Sequence, residues 1–450
     1  MSVPVVSFYM NNISPEVIQA QRSVVELFLP EGCDFKQILT EKSHGEAIDE
    51  FVASSSADVI VLLDIDAIPL RPDALTLLID QANRGELAGA VQRSNHIKNN
   101  EHLFVAPCAM AFKRSLWEQV GRPSFKPTDR GDVAEEFTYL CEEKGIPVSK
   151  LDISYSEGDL WDLVDGRKYG HNTEYSGLFF HAFEIRVPRN QASFVARCKE
   201  IVRRQNPTIA VVTPYCTESY EMLSRCVDSV RAQTLPVQHY LVLDGQHCEA
   251  HELDVHRHVS LGSQHWNYGN TPRAIGAMLA IGEDVDAIAF LDADNTFDPD
   301  HIETCWSFAK YNPRLHYVAA KRRVVLPDGT VVPDHEEPDF TDTSCFFLLP
   351  GSYFTIPQWG LQPNPFTSIC DRLYCALLRR LRLSYATTDK PTVTFNSTYA
   401  AHYLAGKQTP PEDAKKNPDL TKAFAWWQGL SLDQKNIARC MLGIGDFDVQ

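Results

Sequence analysis

Two kinds of apolar pattern alternate along this chain. Short, wholly apolar runs such as Val59-Ile-Val-Leu-Leu63 and Ala287-Ile-Ala-Phe-Leu291 have the length of buried strands. Between them, apolar positions recur at helical spacing. In the first half this predicts a strand over Val3–Phe8. A helix follows, with Ser14 as N-cap, Pro15 in its first turn and Glu16 at its positive end, running to about Leu29. Helices are then expected over His44–Ser54, Pro72–Asn83 and Asp132–Lys144, and strands over Val59–Leu63, Leu87–Val91 and Phe104–Phe112. The stretch 154–173, rich in Gly, Asp and aromatic residues, reads as loop. An apolar strand resumes over Leu178–Ile185, and residues 190–206 read as a polar, basic helix.

The second half restarts with a strand at Ile209–Tyr215. A helix over Tyr220–Gln233, a strand from His239 ending at Asp244-Gly245, a helix over Thr271–Ile281 and the strand at Ala287 follow. Strands alternating with helices imply an α/β fold with a mainly parallel sheet in each half, flanked by helices. The two apolar runs end in the same way: Asp64-Ile-Asp66 in one half, Asp292-Ala-Asp294 in the other. Residues two apart on a strand share a face, so each pair can address one bound object. Ligands of open α/β sheets sit beyond the carboxyl ends of strands. Hard oxygen ligands there suit Mg²⁺ or Mn²⁺, which could neutralise a departing nucleotide diphosphate.

Length and charge narrow the setting. A chain of 450 residues has room for two or three domains. The expected layout is a first domain over 1–190, a connector helix over 191–207, a second domain over 208–405 and a helical tail over 406–450 with Trp426 and Trp427. A net charge of −17 argues against a broad phosphate-tracking surface. No apolar run approaches the ~20 residues that span a bilayer, and the first residues lack the basic start of a signal peptide. Twelve scattered Cys without a CxxC pair read as buried thiols in a reducing cytoplasm. Asn396-Ser-Thr398 fits a glycosylation acceptor, but is not expected to be used without secretion. The stretch from His247 to His258, with Cys248, His251 and His256, lacks a second pair at zinc-finger spacing and reads as a surface connection. Lys321-Arg322-Arg323 and Arg379, Arg380 and Arg382 read as solvated faces.

Four segments of the second half, in order, resemble family 2 glycosyltransferases of the GT-A fold: Val212-Thr213-Pro214-Tyr215-Cys-Thr-Glu218, Val242-Leu-Asp244-Gly245, Asn267-Tyr-Gly269-Asn-Thr-Pro-Arg273-Ala-Ile-Gly276, and Phe290-Leu-Asp292-Ala-Asp294. The resemblance covers about 209–405. It implies a donor site of Thr213, Pro214, Tyr215, Glu218, Asp244, Asn267, Gly269, Arg273 and Asp292. Asp294 would hold the metal, with His402 as a further ligand. The family's catalytic base is an acid on a later helix, which here falls on Asp371, with Asp339 and Asp342 as rivals; the first acid of the usual pair is missing.

The first half follows the same plan with a weaker match. Asp64 would address the donor, Asp66 and His181 the metal, and Asp132, at a helix mouth, would be the base. His44-Gly45-Glu46-Ala47 is the nearest equivalent of the Asn-x-Gly segment and would bring Gly45 close to a phosphate. Trp161, Tyr169 and Tyr175 are candidates to stack on sugar rings. The expectation is two tandem GT-A-like, Rossmann-like domains that move sugars from nucleotide-diphosphate donors to hydroxyl acceptors. The second would invert the anomeric centre. The setting would be bacterial glycan assembly, with the membrane's inner face met through a lipid-linked acceptor. Three other readings stay open: glycosylation of modified DNA bases through a local basic groove, a non-catalytic sugar- or nucleotide-binding protein, and a nucleotidyltransferase.

Overall fold

The computed structural model describes residues 2–94, 101–162, 168–245, 252–334 and 340–442, and of 159, 160, 161, 162, 168, 169, 441 and 442 the backbone alone. Asp339, His247, Cys248 and His251 lie outside these residues. The chain falls into two compact units, Met1–Gln205 and Asn206–Gln450.

The first unit runs β1 (Val3–Tyr9), α1 (Pro15–Leu27), β2 (Cys33–Leu39), α2 (His44–Ser54), β3 (Val59–Leu63), β4 (Ala67–Pro69), α3 (Ala74–Asn83), β5 (Leu87–Arg93) and β6 (Leu103–Lys113). It continues with α4 (Arg114–Gln119), α5 (Glu135–Glu143), β7 (Val148–Leu151), β8 (Ile153–Asp162), β9 (Lys168–Tyr175), β10 (Phe179–Ala182) and α6 (Pro188–Arg203). Ser14 caps α1 by accepting the Val17 amide, as its spacing predicts. The main sheet has the order β2-β1-β3-β6-β5-β7. β2, β1 and β3 are parallel, β6 is antiparallel to both neighbours, and β5 and β7 are parallel.

The stretch 154–173 is not a loop. β8 and β9 form an antiparallel ribbon that β10 joins to β4 in a second sheet. Its polar, Gly-containing strands carry little of the apolar alternation by which strands are recognised. Tyr175 is fully buried and offers no stacking face; Trp161 and Tyr169 are paired across the ribbon. The basic helix expected as a connector is α6. It buries Asn190, Phe194, Cys198 and Ile201 along one stripe and packs on α1.

The second unit runs β11 (Ile209–Tyr215), α7 (Tyr220–Arg231), β12 (Val237–Leu243), β13 (Arg257–Ser260), α8 (Asn270–Gly282), β14 (Ala287–Phe290), β15 (Thr296–Phe297), α9 (His301–Lys310), β16 (Tyr317–Val325) and β17 (Val331–Val332). It ends with β18 (Phe346–Leu348), α10 (Pro357–Leu361), α11 (Cys370–Arg380), β19 (Tyr385–Asn396), α12 (Ala400–Ala405), α13 (Thr421–Gln428) and α14 (Leu432–Leu442). Its sheet order is β13-β12-β11-β14-β18-β16-β19-β15. From β12 to β19 the strand directions repeat those of the first unit from β2 to β7. In each, the strand carrying the carboxylate pair is central, follows a helix packed on the sheet, and borders an antiparallel strand. Each sheet is therefore mixed, with its parallel strands on the side that presents the acids.

Two glycines let the preceding helix lie close. A Cβ on Gly276 of α8 would meet Val212 Cγ1 at 2.6 Å and Val242 Cγ2 at 2.8 Å. A Cβ on Gly45 of α2 would meet the Phe125 carbonyl at 2.6 Å. Gly45 is thus covered by protein backbone, and its small size serves packing, not phosphate approach. The tail helices α13 and α14 bury Ala423, Trp427 and Ala438 against Phe366, Ile369 and Leu373. Among the described residues no helix is long and apolar enough to cross a membrane. The described Cys are all free and mostly buried.

Candidate active site

In the second unit the strand ends open on a cleft of about 1310 Å³. Pro214, Tyr215, Glu218, Asp244, Asn267, Gly269, Arg273, Asp292, Asp294, Asp371 and His402 all line it, although they span nearly two hundred positions of sequence. Thr213 does not. Its side chain is buried, with Oγ1 2.9 Å from His239 Nε2.

The turn after β14 is held from several sides. Asp292 receives Arg273 Nη2 at 2.6 Å, and its amide donates to Ser344 Oγ. Asn396, at the end of β19, donates Nδ2 to the Asp294 carbonyl at 2.7 Å and is not disposed as a glycan acceptor. The Arg273 side chain is 2% exposed, donates to Asn270 as well, and its guanidinium lies 4.8 Å from the Trp359 ring. The helix cation therefore fixes the first acid of the pair. Among the described residues the second has no such partner. Burial, and next the Asp292 charge, lift the Asp294 carboxyl from 3.8 to about 7, against the pull of Lys415. A half-buried carboxylate raised in this way suits a divalent cation. His402 lines the same cleft, with Nδ1 2.6 Å from Ser397 Oγ.

Asp371 opens α11. Burial, and next the Asp342 charge, raise its carboxyl to about 7, while Arg372 and the backbone lower it. Its rival Asp342 is committed elsewhere. Its Oδ2 takes Arg322 Nη1 at 2.5 Å and its Oδ1 the Ser344 amide. Arg322 is no solvated residue: its side chain is 6% exposed, also binds Asp334, and lies over Phe395 at 4.7 Å. Arg323 is paired with Asp298. Those two arginines supply no open basic groove.

Several lining residues went unforeseen. Asp244 accepts the amides of His265 and Trp266 and sits 2.6 Å from His265 Nδ1. Trp266 and Tyr268 are 68% and 67% exposed at the cleft, on backbone with φ of 52° and 56°. Positive φ at two aromatics one residue apart is a strained arrangement; the neighbouring Asn267 and Gly269 were the only sequence hint.

In the first unit, Asp64, Asp66 and His181 bring ligand atoms within 4.8 Å of one another, the one such group among the described residues. His181 is delivered by pairing of β10 with β4, and the Ala182 amide donates to the Asp66 carbonyl. His181 Nε2 lies 3.3 Å from Asp66 Oδ1 and 3.8 Å from Asp64 Oδ2. Its Nδ1 is 3.2 Å from the Gln92 side-chain amide, which also reaches Cys108. Burial opposes charge on His181, but Cys108 and Asp66 raise its pKa well above the usual value; burial likewise raises Asp64. His44 Nε2, from the first turn of α2, lies 3.2 Å from Asp64 Oδ1. It stands beside the first acid of the pair as Arg273 stands beside Asp292, but makes no hydrogen bond to that oxygen. Buried Gln21 ties down the turn through the Asp64 and Ala67 carbonyls. The trio fits a divalent cation by donor type and spacing.

Asp132 lies in the turn before α5, its Oδ1 accepting the Val133 amide. Beside it Glu135 is fully buried and saturated by Ser94, His102 and the Asp132 amide. Ala134, between them, has φ 67°. Neither acid joins the Asp64 group.

The second unit is thus a mixed α/β unit with acids at its strand ends around an open cleft. Residues 210–376 match the family model described as glycosyl transferase family 2. Over 150 residues, 31% of this chain and 43% of the relative, the sequence is 33% identical to the glucosyl-dolichyl phosphate glucuronosyltransferase of Haloferax volcanii. The chain thus spans less than half of that relative. Similar solved structures include S. aureus TarS, at TM-score 0.34 and 14% identity over 44% of this chain and 38% of TarS. A second, of TarS 1–349 in complex with UDP, has the same score and identity over 44% of this chain and 63% of that one.

Proposed function

We propose that the second unit transfers a sugar from a nucleotide-diphosphate donor to an acceptor hydroxyl, with inversion. The observation that carries this reading is the convergence of Asp244, Asp292, Asp294 and Asp371 on one cleft within the segment matched to the family. Asp244 and the Trp266–Gly269 loop bind the nucleotide end. Arg273 fixes Asp292. Asp294 and His402 would hold Mn²⁺ or Mg²⁺, which supplies Lewis-acid charge to the diphosphate. Asp371 accepts the acceptor's proton as its oxygen attacks the anomeric carbon. The bond from that carbon to the phosphate oxygen breaks, and its electrons leave with the nucleoside diphosphate.

The Asp64, Asp66 and His181 group favours a second reading, in which the first unit is also a metal-dependent transferase. Two fused activities would suit successive sugar additions to one growing surface glycan. The relative's name describes a glucosyl-dolichyl phosphate, which supports a lipid-linked acceptor. Release of nucleoside diphosphate from a panel of nucleotide sugars with Mn²⁺ tests both readings. Asp294→Ala should abolish turnover of one donor. If Asp66→Ala abolishes that of another, both units are transferases; if Asp66→Ala changes nothing, the first unit is not one. Release unaffected by Asp294→Ala and by the double variant would exclude the reading.

A further inference from the structure

A departing diphosphate needs positive charge opposite it, and the cations lining the cleft are unequally available. Arg273 is held by Asp292 and Asn270, and Arg322 by Asp334 and Asp342. Arg372 lies over the Phe340 ring at 4.8 Å. Lys415 lines the same cleft, is exposed and, like its neighbour Lys416, forms no ion pair among the described residues. Backbone fixes its place. β19 ends at Asn396, whose side chain holds the Asp294 carbonyl. Two residues on, the Thr398 carbonyl accepts the Lys415 amide at 2.9 Å, and the Ala400 amide donates to the Lys415 carbonyl at 2.8 Å. The segment after α12 thus returns to the cleft and is stapled beside the Asp294 turn. Lys415 Nζ lies 5.8 Å from the Tyr399 ring, and its charge lowers the Asp294 carboxyl.

We propose that Lys415 is the side-chain cation that, alongside the metal, binds the donor's diphosphate and takes up charge on the leaving phosphate oxygen as the anomeric bond breaks. This rests on the transferase reading and adds a residue from beyond the matched segment 210–376. No bond forms to Lys415 and it keeps its proton. The bond electrons stay on the phosphate oxygen, and the acceptor's proton goes to Asp371. A strongly hydrated ammonium suits a diphosphate that must be gripped and then released.

The test uses the full chain with Mn²⁺ and measures binding of UDP, GDP, CDP, ADP and dTDP, each against its monophosphate. Lys415→Met keeps the apolar stem over Tyr399 and removes the charge; Lys415→Arg restores charge. The preference of the wild type for diphosphate over monophosphate should fall roughly tenfold or more in Lys415→Met, the scale of one charge-assisted contact. Donor hydrolysis should slow with it, and Lys415→Arg should recover both. An unchanged preference, or equal loss for mono- and diphosphate, overturns the assignment and leaves the transferase reading standing. If the wild type binds none of the diphosphates, both fall together.

Discussion

At the scale of single residues, the second unit treats its acids differently. Arg273 neutralises Asp292 and Arg322 neutralises Asp342, whereas Asp294 and Asp371 are both lifted to about 7. A carboxyl near 7 is matched to proton transfer at neutral pH. Asp371→Asn should therefore lower turnover by roughly 10²–10⁴-fold with donor binding kept. In the wild type the rate should rise with pH through about 7, because the base works only when ionised. A flat profile from pH 5 to 9 would remove Asp371 from that role. The same shift has a sign for stability. A folded pKa raised above the unfolded value means the folded state holds a proton the unfolded state has lost, so stability falls as pH rises from about 4 to 7. Asp371→Asn should accordingly melt above the wild type at pH 8, with the gap closing below pH 4. Thermal melts at the two pH values check this. The acids could be found in the sequence because they end apolar runs or open a helix. Which would be neutralised could not, since that depends on arginines brought in by other elements.

At the scale of elements, much was legible where periodicity was strong. α1, α2 and β3 lie close to their expected bounds because caps and apolar runs mark them. The ribbon of β8 and β9 was missed because polar strands outside the main core lack that pattern. Gly45 shows how a resemblance can carry a wrong cause: like Gly276, it is small so that a helix can seat on neighbouring protein. α8 sets Arg273, and through it Asp292, so its seating bears on the site. Gly276→Ala forces Val212 and Val242 apart and should cost about 1–3 kcal/mol, the usual range for overpacking. Chemical denaturation should show that loss together with reduced donor hydrolysis. A variant that loses stability alone would mean α8 tolerates displacement without moving Arg273.

At the scale of the whole molecule, the two units share a strand plan and differ in how the acid pair is completed. In the second, an arginine holds the first acid and the second meets the cleft beside Lys415. In the first, a histidine from α2 stands 3.2 Å from the first acid, and His181 closes a three-ligand group. The half with the weaker sequence match thus has the more compact donor set. Sequence could not rank them so, because His181 reaches Asp66 only through pairing of β10 with β4, more than a hundred residues from the acid pair. If both sites take metal, Mn²⁺ titration of the full chain, followed by loss of the free-ion resonance signal, should show two sites. His181→Ala should remove one and leave donor turnover at Asp294 intact, while Asp294→Ala should remove the other. Gln92→Leu tests the supporting contact: loss of the amide beside His181 Nδ1 should weaken the first site by roughly 10–100-fold, as for residues that orient a metal's ligands. A single Mn²⁺ site, insensitive to His181→Ala, would make the Asp64 group a polar cluster held by His44 and His181, and the first unit a structural copy of the second.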